Sequence, residues 1–349
     1  MHARWLAALM VAAPMLAQAD VLIGSWNIRH LGWANDKAIP QVAHVANHFD
    51  FLAIQELMDT SALERLEQEV EALSGEAWSS MASRDLGRSS YTEHYGFLWR
   101  ESEVAYADSA VVFLDSGDVY SREPYSARFR DVDTGDLFTV GTVHVVYGDS
   151  IGDRLPEIAA LADYWGWLDE TAKGTPRLLI GDFNLPPDHD GWGPLRELGA
   201  EPAITDGRST LAITADEYAN LYDNIWFEGG GLELSDRGIL LFPDLVAMDH
   251  LEARDRISDH APVYIGINGA RLELVAAKGA AMTGIETEDC IDLNASAPSR
   301  LEELPHVGPA RAEDIVEGRP WVSPEELTRV SGIGGGRLED IEESGLLCR

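Results

Sequence analysis

The sequence predicts a layered α/β (α+β) domain followed by a small all-helical one. Over residues 21–267, apolar β-branched runs of strand length mix with segments of helical periodicity, without a regular βαβ rhythm. Near Asn268 the strand pattern stops. From residue 290 onward, short helical stretches are separated by Gly-rich turns and no strand-like run follows. A length of 349 residues accommodates one large domain and one small one.

The first 19 residues read as an export signal. Met1 to Arg4 are weakly basic, a short apolar run interrupted by Pro14 follows, and Ala17-Gln18-Ala19 offers small residues for cleavage before Asp20. A buried first strand or a membrane anchor is the competing reading. The run falls short of the roughly 20 apolar residues that span a bilayer. Residues 21–28 and 49–55 then read as strands, and 39–47 as a helix. Residues 61–73 have helical periodicity, with Leu63, Leu66, Val70 and Leu73 at spacings of three and four. Strands are predicted over 95–99, 110–113, 137–144, 177–180, 225–227 and 261–267, and a helix over 155–168. The domains are therefore expected at 20–268 and 290–349, joined by a weakly patterned linker over 269–289.

The two cysteines, Cys290 and Cys348, flank the C-terminal segment. After export, a disulfide between them would close that segment into a loop. Two free thiols are the alternative. The 26 basic and 60 acidic residues leave a net charge of −34, and only Lys37, Lys173 and Lys278 are lysines. Such a chain repels nucleic acid at low salt. At 1 M salt the screening length falls to about 3 Å and the objection fades. Work in brine and simple acidity of an exported protein both fit this composition.

Several strand ends carry a carboxylate, an amide or an imidazole. Asn27 follows Ser25-Trp26, Glu56 follows Ile54-Gln55, and His144 follows Thr142-Val143. Asp182 and Asn184 lie in Gly181-Asp182-Phe183-Asn184, and Asp259 and His260 in Ser258-Asp259-His260. Singly, each has an ordinary explanation as a turn or a structural residue. Together they suit phosphodiester hydrolysis, which needs charge stabilisation on the phosphoryl oxygens and a base for water. Glu and Asn supply hard oxygens suited to Mg²⁺ or Mn²⁺, and histidines serve as acid or base. No cysteine lies near these motifs, which argues against a thiolate nucleophile or a Cys-rich zinc site.

The segments Ser25-Trp26-Asn27-Ile28-Arg29, Ile54-Gln55-Glu56, Gly181-Asp182-Phe183-Asn184 and Ser258-Asp259-His260 resemble the motif set of the endonuclease/exonuclease/phosphatase superfamily. Three further segments narrow the resemblance to the deoxyribonuclease I family: Gly87 through Tyr95, Ser121-Arg122-Glu123-Pro124 and Tyr222-Asp223. The resemblance implies a four-layer sandwich, two packed β-sheets flanked by helices, with the site at one end. It implies that Glu56 holds the metal with Asn27 beside it, that Glu93 orients His144, and that Asp223 orients His260. Asp182 and Asn184 would position water and phosphate, and Asp259 would be a second metal or water-orienting carboxylate. Arg29, Arg88, Tyr91 and Arg122 are the implied DNA contacts. Two departures stand out. Met58 occupies the position of an arginine that enters the minor groove in the family, and no cysteine precedes Cys290, so the family's disulfides have no counterpart. Of the family's calcium loops, Asp115 and Asp118 are candidate ligands, with a solvated turn as the alternative.

Residues 304–312 and 330–338 are two copies of one pattern: an apolar residue, a Gly-containing hairpin, then a helix start. This resembles the tandem helix-hairpin-helix domain of bacterial competence DNA receptors, in which hairpin glycines let backbone N–H groups reach a phosphate. Gly308, Gly332 and Gly334 are the implied contacts. Residues 291–349 hold 12 Asp/Glu and 6 Arg, so this domain has no basic face to offer. The expected protein is a secreted (extracellular or periplasmic), monomeric, salt-tolerant endonuclease of double-stranded DNA, with no membrane partner. A lipid phosphodiesterase and a non-catalytic DNA receptor are the alternatives.

Overall fold

The computed structural model describes residues 21–33, 37–229 and 232–274, and in the C-terminal part 291, 293, 296, 301, 304–318, 321, 324–344 and 346–347. The export segment, most of the 269–289 linker, Cys290 and Cys348 lie outside the described residues. Among those described, no helix is long and apolar enough to cross a membrane. The chain divides into two compact units, Met1–Leu274 and Val275–Arg349.

The first unit runs β1 (Val21–Leu31), α1 (Ile39–Ala46), β2 (Phe51–Leu57), α2 (Thr60–Ser74), β3 (Trp78–Ala82), β4 (His94–Arg100), β5 (Val104–Val112), β6 (Tyr125–Asp131), β7 (Leu137–His144) and α3 (Ile151–Thr171). It continues with β8 (Arg177–Asp182), α4 (Gly193–Glu197), β9 (Ala200–Pro202), β10 (Asp223–Glu228), β11 (Leu234–Ile239), α5 (His250–Arg256) and β12 (Val263–Ile267). Local chemistry sets the helix ends. Asp59 caps α2 by accepting the Ser61 N–H at 2.9 Å, and left-handed Gly75 ends it. Leu63, Leu66 and Val70 form its buried stripe, as the periodicity predicts.

Two six-stranded sheets result, ordered β11-β12-β1-β2-β4-β3 and β5-β6-β7-β8-β10-β9. Strand alternation divides the apolar side chains into three cores. Ile23, Phe51, Phe97 and Ile265 of one sheet meet Phe129, Val140, Leu178 and Ile225 of the other. Leu22, Trp26, Leu52 and Ile54 face the opposite way, onto α1, α2 and α5. Leu179 and Trp226 face α3 and α4. The four layers are helix, sheet, sheet, helix.

Strands β3, β6 and β11 and helix α5 escape the sequence pattern. Trp78-Ser-Ser-Met-Ala and Leu-Ser-Asp-Arg-Gly-Ile239 form edge strands with mostly half-buried side chains, so their apolar signal is weak. In β6, Arg128 and Arg130 sit on the outward face and interrupt the run. Residues 110–113 were expected as a strand; β5 instead spans Val104–Val112 with register shifts, because polar residues in its middle mask it.

In the second unit, α6 (Pro309–Glu317) and α7 (Gly335–Glu343) pack around Leu304, Val307, Ile315, Leu327, Ile333 and Ile341. The sequence repeat is also a structural one. Val307 N–H donates to Leu304 O at 3.1 Å, and Ile333 N–H to Val330 O at 3.0 Å. Matching positions, His306 and Gly332, both have positive φ, 65° and 85°. Each hairpin carbonyl is bound from the following helix: Arg311 Nη1 donates to His306 O at 2.8 Å and Arg337 Nη1 to Gly332 O at 2.6 Å. Gly308 and Gly334 accept the first turns of α6 and α7, and a Cβ at either would meet open space.

Candidate active site

The layer between the sheets changes character at one end. Along β8 the inward residues run Leu178, Ile180, Asp182; along β10, Phe227, Ile225, Asp223; along β7, Val140, Thr142, His144. Register aligns the three polar ends, because Asp182 pairs with both His144 and Asp223. Gly181 makes the row possible. Its φ of 146° suits glycine, and a Cβ there would strike the Val143 carbonyl. The facing sheet supplies Asn27 and Gln55, which are register partners on β1 and β2. Glu56 follows at a register irregularity with φ 57°, a bulge that turns its side chain toward Asn27.

The predicted residues converge. Glu93 Oε1 lies 2.8 Å from His144 Nδ1, and Asp223 Oδ2 lies 2.8 Å from His260 Nδ1. The free Nε2 atoms of both histidines point at one carboxylate, 3.6 and 3.7 Å from Asp182 Oδ2. Asn27 Nδ2 donates to the same oxygen at 3.1 Å and to Glu56 Oε1 at 2.9 Å. Asn184, left-handed at φ 50°, sends its N–H to Asp182 Oδ1 at 2.9 Å and its amide to Val145 O at 2.9 Å.

Electrostatics favour the charged form of both histidines. Burial opposes the His260 charge, but Asp223 and Asp182 lift it well above the usual imidazole range. Burial and Arg122 oppose the His144 charge, and Glu93 and Asp182 outweigh them, so it too is raised. Against burial, the His260 and His144 charges hold the Asp182 carboxyl below its ordinary range. Burial raises Asp223.

The donor set fits a hard divalent cation. Asn27 Oδ1 is a buried oxygen with no protein partner, next to the Glu56 carboxylate. Asp182, Asp223 and His260 form a second close group, with ligand-type atoms within 4.8 Å of one another. There His260 Nδ1 is already committed to Asp223. Asp259 stands apart from both: its Oδ2 lies 3.3 Å from Arg254 Nη2 and 3.8 Å from Arg29 Nε.

The expected substrate-contact residues divide into two sets. Arg29 is one-third exposed beside Asp255 and Asp259. Tyr91 is half-buried with its ring edge-on to Trp33. By contrast, Arg122 is buried behind His144: its Nε lies 2.7 Å from Glu93 Oε1, and it donates twice to His144 O. Arg88 is turned onto the Asp115–Asp118 loop, 3.0 Å from Asp118 Oδ1. In that loop Asp115 already accepts the N–H groups of Gly117, Val119 and Tyr120. Sequence reasoning missed Ser209, whose Oγ donates to Asp223 Oδ2 at 2.6 Å, and Arg254; neither lies in a recognisable motif. It also missed His30, whose N–H donates to Glu56 Oε2 at 3.1 Å. Its place directly after Asn27-Ile28-Arg29 was the available signal.

The fold is the one seen in proteins of the endonuclease/exonuclease/phosphatase class. The fold is similar to that of a protein of this class from Bacteroides thetaiotaomicron, with a TM-score of 0.52 and 15% identity over 71% of this chain and 98% of that one. A "Deoxyribonuclease" of Thioalkalivibrio sp. (strain K90mix) is 46% identical over 97% of this chain and 96% of its own length. "Deoxyribonuclease-1" of Gallus gallus is 28% identical over 75% of this chain and 98% of its own. Residues 286–344 match the family model described as "Helix-hairpin-helix motif". The chain belongs to the deoxyribonuclease family.

Proposed function

We propose that this protein is an exported, divalent-metal-dependent endonuclease that hydrolyses double-stranded DNA with little sequence preference. The observation that carries this reading is the pair of carboxylate–histidine couples meeting on Asp182 from two sides. Hydrolysis needs a proton taken from water and another given to the leaving oxygen, and two imidazoles on opposite sides of one phosphate supply both. Glu93 and Asp223 fix each ring through Nδ1, leaving Nε2 for the reacting oxygens. Asp182, held by Asn27 and by the Asn184 N–H, orients the water between them. Breaking the P–O3′ bond leaves 5′-phosphate and 3′-hydroxyl ends. Glu56 and Asn27 Oδ1 would hold Mg²⁺ or Mn²⁺, which when bound neutralises charge on the phosphoryl oxygens.

DNA as substrate is supported by the names of the relatives and by the helix-hairpin-helix match. Gly308, Gly332 and Gly334 place backbone N–H groups at two hairpins, contacts that carry no net charge. Such contacts release few counterions and weaken little with salt, which suits a chain of charge −34 and underlies the proposed salt tolerance. Monomeric action and a periplasmic or extracellular location complete the reading.

The test uses the purified chain from residue 20, supercoiled plasmid, and Mg²⁺ or chelator. Nicking with Mg²⁺, none with chelator, and loss of about 10²-fold or more in His260→Ala are expected. A protein that binds plasmid with metal present but never nicks it is a receptor, and the proposal is then wrong.

A further inference from the structure

The turn after β1 carries an exposed aromatic that the mechanism does not use. Trp33 is 47% exposed. Its indole is stacked on the His30 ring, with centroids 4.2 Å apart and planes 29° from parallel. The Tyr91 ring meets it edge-on at 5.6 Å. The turn is pinned. Trp33 N–H donates to His30 O at 3.1 Å, buried Leu31 accepts the Met58 N–H at 2.7 Å, and Gly32 lies so close to α2 that a Cβ would be 2.9 Å from Asp59 Cβ. His30 ties the stack to the site: Glu56 Oε2 accepts its N–H and lies 3.4 Å from its Nε2. A continuous chain of contacts therefore runs from a candidate metal carboxylate to an open indole.

We propose that Trp33, backed by His30 and braced by Tyr91, is a stacking platform for a nucleobase of the strand next to the scissile phosphate. This rests on the nuclease reading of the same site. An indole has a π-face that any base turned out of the stack beside the cleavage point can cover, which suits binding without sequence preference. Stacking also needs no counterion release, so a strongly acidic protein keeps this contact where arginine–phosphate contacts weaken. Met58, bonded through its backbone to this turn, brings no charge to the groove. His30 adopts left-handed φ of 56°, which a β-carbon disfavours. The turn is built to hold the ring pair in place at that cost.

The experiment compares full-length wild type, Trp33→Ala and Trp33→Phe. Base stacking is worth roughly five- to a hundredfold in binding. Trp33→Ala should raise KM for plasmid about tenfold or more, with a smaller effect on kcat, and Trp33→Phe should recover most of the loss. A second readout needs no catalysis. Adding a single-stranded oligonucleotide, whose bases can leave their neighbours, to the metal-free protein should quench tryptophan emission, and Trp33→Phe should lose part of that quench. Unchanged KM and unchanged quenching in the variants, with wild type nicking normally, overturn the platform alone. A wild type that never nicks overturns the nuclease reading instead, and the binding titration still judges the platform.

Discussion

Replacing Glu93 by Gln tests the electrostatic framework of the site. The Glu93 side chain is fully buried, and its Oε1 receives both His144 Nδ1 at 2.8 Å and Arg122 Nε at 2.7 Å. Glutamine keeps an acceptor but removes the charge, and its amide falls where Glu93 Oε2 has no partner. Charge-assisted bonds are roughly twice as strong as neutral ones, so two bonds lose about 1 kcal/mol each. Arg122 remains buried without its counter-charge, and breaking buried pairs costs about 3–5 kcal/mol. Because Arg122 still donates to His144 O, the lower end applies, about 3 kcal/mol.

The pH dependence has a definite sign. Burial opposes the Glu93 charge, but His144 and Arg122 hold its carboxyl below the ordinary 4.5, so its contribution is present above that value and fades as pH falls through the folded pKa. The raised His144 contributes fully below 6.5 and fades as pH rises through its folded pKa. The deficit of Glu93→Gln is therefore largest between about pH 4.5 and 6.5 and narrows above. Urea unfolding of the metal-free protein, followed by tryptophan fluorescence from pH 4 to 9, measures it. A deficit under about 1 kcal/mol at pH 5.5, or one that widens steadily above pH 8, refutes the reasoning.

Four further outcomes are expected. Gly181→Ala drives a Cβ into the Val143 carbonyl at positive φ, so a loss above about 4 kcal/mol or insoluble protein should follow; normal unfolding would show that β7 and β8 can separate freely. With Mg²⁺ saturating, added calcium should leave the thermal midpoint unmoved, because three backbone N–H groups and Arg88 already engage Asp115 and Asp118; a rise of several degrees contradicts this. Reduction should loosen the tail by about 4 kcal/mol if Cys290 and Cys348 are bonded; alkylation of both thiols without reductant disproves the bond. Deleting residues 290–349 should move the NaCl concentration that halves plasmid cleavage downward, and identical salt profiles for the full-length and shortened chains exclude a role for the tail.

Much of the site could be read in the sequence because strands end where the chemistry begins. The apolar runs of β7 and β8 stop at His144 and Asp182, and parallel register then makes those ends neighbours. Glu93 is different: it follows a stretch with little pattern and reaches His144 through a short bridge with Leu86. Only the family resemblance made it visible. Arg122 shows the limit of that route. An arginine beside a phosphate-handling motif reads as a phosphate contact, yet its buried guanidinium holds Glu93 and the His144 backbone. Trp33 could not be found from sequence, since its partners His30 and Tyr91 are brought together by tertiary packing between the ends of β1 and the loop before β4.

How a chain of charge −34 engages a polyanion follows from where its positive groups are spent. Arg122 is committed to Glu93, Arg88 to Asp118, Arg254 to Asp259, and Arg311 and Arg337 to hairpin carbonyls. Each of these arginines is engaged within the protein, and Arg122 and Arg254 are largely buried. On the proposed reading, recognition falls largely to groups that carry no fixed charge: an indole at the catalytic rim, and backbone N–H groups at the two glycine hairpins. Both kinds of contact forgo long-range attraction and so associate slowly at low salt, but they lose little when ions crowd the solution. The prediction that separates this design from ordinary charge pairing is the slope of log KM against log NaCl. It should be shallow in the wild type, well under the slope of about 5 to 9 that a protein making 6–10 phosphate contacts gives. A steep slope would mean that phosphate contacts dominate after all.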